Sequence, residues 1–382
     1  MADRAELPTY TQPEAKAALL MAGACGTIYS LVMPESEQAL AFVVDGCDRE
    51  SVLGPEGATR LAELRRAHYL SRYHEPWTQK QDAMHETYFS HWLEWAAPIV
   101  SFHAEEFPYR YPTAGASEGI FKIMAEYAAT CRKSGREPSV HVFEGEYEGF
   151  PAYAAALRIR TVAHPRDDWR KVPSRIDPHA QFWVSQPSAI DGTVWDEFAD
   201  FVSAMAAARP EVELVPDLTY VGSVARDFGV DLDHPNIPAF VISHSKPFGG
   251  YYHRVGGVFA RREYLSLFGN KWFKNLQSLA WGTEMMKRHG VFDLPRKYRP
   301  IQEAAVESVA RRLGIDSLRP ADVLLLATAK PRGETSPLLS TVLRGSGSNQ
   351  VIRLCLTPAM TCLIDPSMAP ETIGRLQERG TP

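Results

Sequence analysis

From about residue 111 onward, short apolar and β-branched runs alternate with stretches of helical periodicity. Between two of these runs, Trp195, Phe198, Val202 and Met205 recur at the spacing of one helix face. Alternation of this kind is typical of βαβ units, so it predicts an α/β fold whose mainly parallel central sheet is flanked by helices. The predicted strands are Ser139–Phe143, Arg158–Val162, Phe182–Ser185, Val212–Val215, Ala239–Ile242 and Gly257–Ala260.

The two ends of the chain have different patterns. Pro295 and Pro300 predict a break after a long helical region that runs from Glu263 to Arg288, and a smaller α+β unit is expected beyond it. The organisation expected is an N-terminal helical segment (1–55) packing with the small domain, a large domain (56–293) and a small C-terminal domain (294–382). The elements predicted in these parts are helices Pro13–Met21, Glu56–Tyr69, His85–Ala97, Gln302–Leu313 and one near Glu371–Glu378, with strands Val323–Ala327 and Val351–Leu356.

Composition excludes several classes of protein. Lys+Arg total 41 against Asp+Glu 46, so no basic excess supports nucleic-acid binding. The apolar stretch from Ala17 to Met33 contains Gly, Thr, Ser and Tyr, which favours a buried helix and loop over a membrane span. Five scattered cysteines without CxxC spacing and a polar, acidic start predict a reduced, cytoplasmic protein. No HxH or HExxH pair occurs, so no metal site is expected.

Ligands of open α/β sheets bind outside the carboxyl ends of the strands, which directs attention to polar residues that directly follow strands. Lys246 follows one strand among small residues, where partial burial would make its amine nucleophilic. Another strand ends in Asp217, with Tyr220 three residues further on, and a buried carboxylate needs a cationic partner such as a protonated pyridine. Taken singly, Lys246 also fits a surface loop and Asp217 a helix cap or turn.

Three further segments have the same placement. Residues 111–119, rich in small side chains, open a helix over Ile120–Cys131, so backbone N–H groups near Ala116 and Ser117 could bind an anion. Residues 144–150 place the Tyr147 ring at the sheet edge, and residues 186–192 follow the next strand with Gln186 first. Each of these is also compatible with an ordinary cap or loop.

In this order, the five segments resemble the class I/II aminotransferases, which are fold-type-I enzymes dependent on pyridoxal 5′-phosphate (PLP). Lys246 and Arg254 keep that family's eight-residue step, and Val351–Leu356 resembles the strand that carries its carboxylate-binding arginine. The sequence departs from the pattern at Gln186, where the family has Asn, and at Tyr252, where it has Gly.

The resemblance implies a large PLP-binding domain with a mainly parallel sheet and a smaller α+β domain. It implies that Lys246 holds PLP as a Schiff base and then moves the α-proton, and that Asp217 pairs with the pyridine N–H. It also implies a homodimer with the site at the interface, where Tyr69 or Tyr73 of a partner chain could reach the phosphate. The other implied roles are hydrogen bonds to the ring 3′-oxygen from Tyr220 and Gln186, stacking by Tyr147, phosphate binding by Ala116, Ser117, Ser243 and Arg254, and binding of the substrate carboxylate by Arg353.

The leading hypothesis for function is amino-group transfer from an amino acid through an external aldimine with PLP. The alternative on the same fold is β- or γ-elimination, replacement or cyclisation in specialised metabolism, because the fold does not settle which bond at Cα reacts. A third reading, a non-catalytic relative that binds PLP as a regulator, is disfavoured because the residues Lys246, Asp217, Tyr220, Arg254 and Arg353 are all kept.

Overall fold

A computed structural model describes residues 13–31, 33–45, 82–272, 275–331 and 336–366. The helices are α1 Pro13–Met21, α2 Pro34–Asp45, α3 Asp82–Ala96, α4 Ala116–Lys133, α5 Gly149–Ala156, α6 Val172–Arg175, α7 Phe198–Ala208, α8 Leu276–Arg288, α9 Asp293–Leu313, α10 Pro337–Ser340 and α11 Thr357–Ile364. The strands are β1 Val100–Ser101, β2 Tyr109–Thr113, β3 Ser139–Phe143, β4 Arg160–His164, β5 Gln181–Ser185, β6 Glu213–Asp217, β7 Val230–Asp231, β8 Ala239–Ser243, β9 Gly256–Ala260, β10 Arg319–Pro320, β11 Leu326–Ala329, β12 Leu343–Arg344 and β13 Val351–Cys355.

The large sheet has seven strands in the order β2-β9-β8-β6-β5-β3-β4. Strands β8, β6, β5, β3 and β4 pair in parallel, whereas β9 is antiparallel to both of its neighbours. The predicted α/β class with a mainly parallel sheet is confirmed, and each of the six predicted strands lies within two residues of an observed one.

The inner strands of this sheet are buried on both faces, which explains why they are continuous apolar runs instead of alternating patterns. Neighbouring residues of one strand enter opposite cores: Phe182 and Phe240 belong to one cluster, and Trp183 and Val241 to the other. Helix α4 packs its buried face, from Ile120 to Cys131, into the second cluster.

The smaller sheet is antiparallel, in the order β10-β11-β13-β12, and accounts for the α+β pattern of the C-terminal region. The N-terminal segment joins it, because Cys25 and Cys355 exchange backbone hydrogen bonds of 3.0 and 2.9 Å as an antiparallel bridge.

The break predicted at Pro295 and Pro300 is wrong, since α9 runs without interruption from Asp293 to Leu313. Pro295 lies in the first turn, where a missing N–H breaks no helical bond. Pro300 lies inside the helix and lacks one bond, but the face carrying Leu294, Tyr298 and Val309 is buried, and this packing maintains the helix. The long helix predicted from Glu263 is instead a 3₁₀ helix, Leu265–Trp272, followed by α8.

The carboxyl ends of β3, β5, β6 and β8 open on the same edge of the sheet, and the N-terminus of α4 follows β2 there. Across the described ranges, each helix is too short or too polar to cross a bilayer. The helices predicted over Glu56–Tyr69 and near Glu371–Glu378 lie outside the described residues.

Candidate active site

A cavity of about 300 Å³ lies at this edge of the sheet. Of the residues that the sequence predicts for the site, all but Gln186 line it: Ala116, Ser117, Tyr147, Asp217, Tyr220, Ser243, Lys246, Arg254 and Arg353. These residues are spread over more than 230 positions of the sequence, so the fold brings them together.

Lys246 follows β8 and is only 9% exposed. Its Nζ donates a 2.8 Å hydrogen bond to the carbonyl of Ile28 and lies 5.4 Å from the centre of the Tyr251 ring. Burial lowers the pKa of this amine to about 8, and the positive charge of Arg254 acts in the same direction. A substantial fraction of Lys246 is therefore neutral, and so nucleophilic, at mildly alkaline pH.

Asp217 ends β6 and is 5% exposed. Its Oδ1 accepts hydrogen bonds from the backbone N–H and the hydroxyl of Thr219, at 2.9 and 2.5 Å, which fix the carboxyl plane. Burial nevertheless raises the pKa of this carboxyl to about 6. A cationic N–H placed against it would reverse that shift, because an opposite charge stabilises the ionised form.

A second buried carboxyl lies behind Asp217. Glu146 accepts hydrogen bonds from the backbone N–H and the hydroxyl of Ser185, at 3.1 and 2.7 Å, and Ser185 pairs with Asp217 across β5 and β6. Burial raises the pKa of Glu146 to about 7, and the charge of Asp217 adds to this. Sequence reasoning missed Glu146, although it lies in the segment that contains Tyr147.

The N-terminus of α4 and Arg254 form one wall of the cavity. Arg254 has a left-handed backbone (φ 49°) and donates from Nη2 to the carbonyl of Ala114 at 3.0 Å. Gly115, with φ +85°, precedes the helix, and a Cβ there would come within 3.0 Å of Arg254 Nη2. The first backbone N–H groups of α4, at Ala116 and Ser117, have no partner within the helix. Helix and guanidinium together suit an anion such as a phosphate.

The Tyr147 ring forms the side of the cavity. Its hydroxyl lies 3.2 Å from Ser117 Oγ, which ties the ring to the start of α4. Gly149 permits this position, since a Cβ there would lie 2.2 Å from Tyr147 Cε1. Ser243, at the end of β8, lies 3.0 Å from Ser245 through their hydroxyl oxygens. Tyr220 is 6% exposed, and burial raises the pKa of its phenol.

Arg353 enters the cavity from β13 and is 2% exposed. Its Nη1 donates to the carbonyl of Ala189, and Nη2 lies 3.5 Å from Glu148 Oε1. Nε is buried and has no hydrogen-bond partner within the described part of the chain. The edge formed by Nε and Nη2 therefore retains hydrogen-bonding capacity that a carboxylate could use.

The structure does not bring Gln186 to the cavity. Its amide exchanges two 3.2 Å hydrogen bonds with the backbone of Trp195, one through Nε2 and one through Oε1. The side chain therefore organises the turn after β5, and Tyr220 is the group that remains on the cavity side.

Several residues of the cavity were not identified from the sequence. Gly26, Thr27 and Ile28 of the N-terminal segment line the cavity beside Lys246, and Glu148 and Tyr251 are also part of the wall. The N-terminal residues carry no local signal of a site, because they reach it through contacts with distant residues, among them the pairing of Cys25 with Cys355. Glu148 and Tyr251 lie in segments that the sequence does single out, beside Tyr147 and Lys246.

No protein-family model matches the sequence, and a search of the curated proteins gives no match. Solved structures do match. BacF from Bacillus subtilis, in a substrate-bound structure, has 14% identity and a TM-score of 0.57, covering 90% of this chain and 89% of BacF. YbdL from Escherichia coli, described with a methionine aminotransferase function, has 15% identity and a TM-score of 0.53, covering 75% and 88%. A PLP-bound C–S lyase from Staphylococcus hominis has 14% identity and a TM-score of 0.53, covering 74% and 80%. The chain has the fold of these proteins, which confirms the predicted fold-type-I architecture.

Proposed function

We propose that the protein is a PLP-dependent enzyme that transfers the amino group of an amino acid. The observation that carries this proposal is the meeting, in one cavity, of a buried lysine amine, a buried aspartate and an arginine-backed helix N-terminus. The shared fold with an aminotransferase and a PLP-bound lyase is consistent with it.

The residues present suit PLP. The backbone N–H groups of Ala116 and Ser117, the Ser243 hydroxyl and Arg254 would hold the phosphate, and the Tyr147 ring would stack on the pyridine. When bound, PLP supplies a cationic ring that accepts the electrons of the bond broken at the substrate Cα.

Asp217 would maintain the proton on the ring nitrogen. With a pKa of about 6, the buried Asp217 carboxyl is mostly ionised at neutral pH even without a partner. A ring N–H⁺ placed against it would therefore meet a negatively charged hydrogen-bond acceptor. Thr219 keeps Oδ1 fixed, so the carboxylate does not need to reorganise when the ring arrives. Tyr220 would donate its phenolic hydrogen to the ring 3′-oxygen.

Lys246 would have two roles. As a neutral amine, which its lowered pKa of about 8 favours, it would hold the PLP aldehyde covalently, with loss of one water. When it is not bonded to the cofactor, the same amine would act as the base that takes the proton from the substrate Cα and as the acid that gives it back. Arg353 would hold the substrate carboxylate along its Nε–Nη2 edge and so orient the Cα–H bond toward Lys246.

The cofactor test is absorbance of PLP-loaded protein, followed by borohydride reduction and peptide mass analysis. We expect a yellow protein whose reduced adduct lies on Lys246, with no adduct in Lys246→Ala. Lys271→Ala is the matched control, because Lys271 is an exposed lysine that pairs with Glu263 outside the cavity. A colourless protein, or an adduct on another lysine, would overturn the proposal.

The reaction test is a screen of amino acids with product mass measurement. Transfer predicts a keto acid in amounts equal to the aminated cofactor. Release of a leaving group from a β- or γ-substituted amino acid, without aminated cofactor, would assign the elimination or replacement chemistry in its place.

A homodimer is part of the proposal. Tyr252 is 89% exposed beside Tyr251, a cavity residue, and the 3₁₀ helix Leu265–Trp272 exposes Leu265, Phe268 and Trp272. Exposed aromatic and aliphatic side chains of this size favour burial against another chain. Light scattering should give twice the chain mass of 42.6 kDa, and a mass of one chain would refute this part. Tyr69 and Tyr73, named above as partner residues, lie outside the described residues.

A cytoplasmic location also belongs to the proposal. Cys25, Cys131, Cys355 and Cys362 are free thiols, three of them buried, as expected in a reducing compartment. Fractionation of cells that express a tagged chain would test it, and recovery from an oxidising compartment would contradict it.

A further inference from the structure

Glu148 lies between two arginines at the wall of the cavity. Its Oε1 forms an ion pair with Arg344 Nη2 and accepts a long hydrogen bond of 3.5 Å from Arg353 Nη2. The two arginines share a face of the small sheet, because Arg344 pairs with Val351, two residues before Arg353 on β13. The three side chains therefore form one cluster of two guanidinium groups and one carboxylate.

The two contacts of Glu148 are unequal. Arg344 makes the close ion pair, whereas the 3.5 Å separation from Arg353 is at the limit of a hydrogen bond. Arg353 is 2% exposed, its Nε has no partner among the described residues, and Nη1 is held by the carbonyl of Ala189. A carboxylate that takes the Nε–Nη2 edge of Arg353 would thus compete with Glu148 for Nη2 alone.

We propose that Glu148 is a positioning residue that sets the affinity of the site for the substrate carboxylate. Arg344 limits the competition of Glu148 for Arg353 by pairing with Glu148. This rests on the proposed function, since it assumes that Arg353 binds the carboxylate. With Arg344 in place, Glu148 remains on Arg344 when the substrate arrives, and Arg353 is released to the substrate. Each of Glu148 and Arg353 then has a partner of opposite charge, which suits the buried position of Arg353.

Loss of the Glu148 charge and loss of Arg344 should change carboxylate affinity in opposite directions. Removing the charge in Glu148→Gln leaves Arg353 without its competitor, so carboxylate affinity should increase. Removing Arg344 leaves Glu148 with Arg353 as its sole cationic partner in the cluster, so carboxylate affinity should decrease. A purely structural role would weaken binding in both variants.

The experiment measures dissociation constants by calorimetry for PLP-loaded protein with the twenty proteinogenic L-amino acids and with their amides, which lack the carboxylate. KM and kcat are measured for each amino acid that reacts. We expect Glu148→Gln to tighten amino-acid binding about tenfold and Arg344→Met to weaken it about tenfold, with amides unchanged. The double variant should bind like Glu148→Gln, since Arg344 acts through Glu148.

Arg344→Lys, which keeps the charge, should bind like the parent protein and guards against a folding defect in Arg344→Met. Equal affinities in the parent, Glu148→Gln, Arg344→Met and double-variant proteins would overturn the role of Glu148, and so would weaker binding in both Glu148→Gln and Arg344→Met. Arg353→Met separates this from failure of the proposed function: if it leaves the preference for acids over amides unchanged, Arg353 does not bind the carboxylate. If it abolishes that preference while the Glu148 and Arg344 variants change nothing, only the inference about Glu148 fails.

Discussion

Replacing Lys246 by Met should stabilise the protein when PLP is absent. A lysine pKa of about 8 in place of 10.5 means that the folded chain holds the ammonium less well than the unfolded chain does. At about 1.4 kcal/mol per pH unit, this corresponds to roughly 3 kcal/mol of lost stability at neutral pH. Met fills a similar volume without charge. Loss of the hydrogen bond to Ile28 reduces the gain in stability by about 1 kcal/mol. The net gain should be about 2 kcal/mol.

The sign of the effect depends on pH. Below pH 8, both the folded and the unfolded parent chain carry the proton, so the full cost of the buried charge is present. Between pH 8 and 10.5 the folded chain loses its proton first, and the stability of the parent rises relative to that of the variant. Above pH 10.5 neither state is charged, and the advantage of the variant should be gone.

Urea unfolding of the PLP-free parent and Lys246→Met proteins at pH 7 and pH 10.5 measures both parts. Lys271→Met is the control, since Lys271 is exposed and its replacement should change stability by no more than about 0.5 kcal/mol. A variant less stable than the parent at pH 7, or an equal gain at both pH values, would refute the reasoning.

Three further outcomes are expected. Asp217→Asn should retain PLP on Lys246 but lower kcat by about 10²–10³-fold, because the neutral amide no longer stabilises the ring N–H⁺; an unchanged kcat would exclude that role. Arg353→Ala should weaken carboxylate binding by about 2–5 kcal/mol in calorimetry, with amide ligands unaffected. Gly115→Ala should cost about 1–3 kcal/mol and weaken PLP binding, because φ is +85° and the new Cβ meets Arg254. Gly135→Ala, at φ +70° with no atom within 4 Å, should leave PLP affinity unchanged.

Much of the large sheet is predictable because strands buried on both faces are short apolar runs, and Ser139–Phe143 is found to the residue. Strand β2 is missed because Tyr109–Thr113 includes Arg and Pro; it lies at the sheet edge, where Pro112 costs no essential bond. The antiparallel direction of β9 cannot be predicted from the residues of β9 itself. It depends on the connection between β8 and β9, which has only twelve residues. Pro300 misleads because tertiary packing offsets its missing bond.

Some residues of the site can likewise be predicted from the sequence, whereas others cannot. Lys246, Asp217 and the start of α4 directly follow strands, so position alone marks them. Ile28 and Glu148 could not be recognised, since their roles depend on contacts with residues more than 190 positions away. Gln186 shows the converse: its position after β5 suggests the cavity, but the backbone of Trp195 binds its amide.

The acceptor for the Lys246 amine, the carbonyl of Ile28, belongs to a segment whose Cys25 is paired with Cys355. During synthesis the large sheet can form once residue 260 has left the ribosome, but the cover over the amine must wait for β13. A nascent chain that still lacks β13 should therefore leave the Lys246 amine without the cover that Ile28 provides, and the proposed site reaches its final form only after β13 has joined the small sheet.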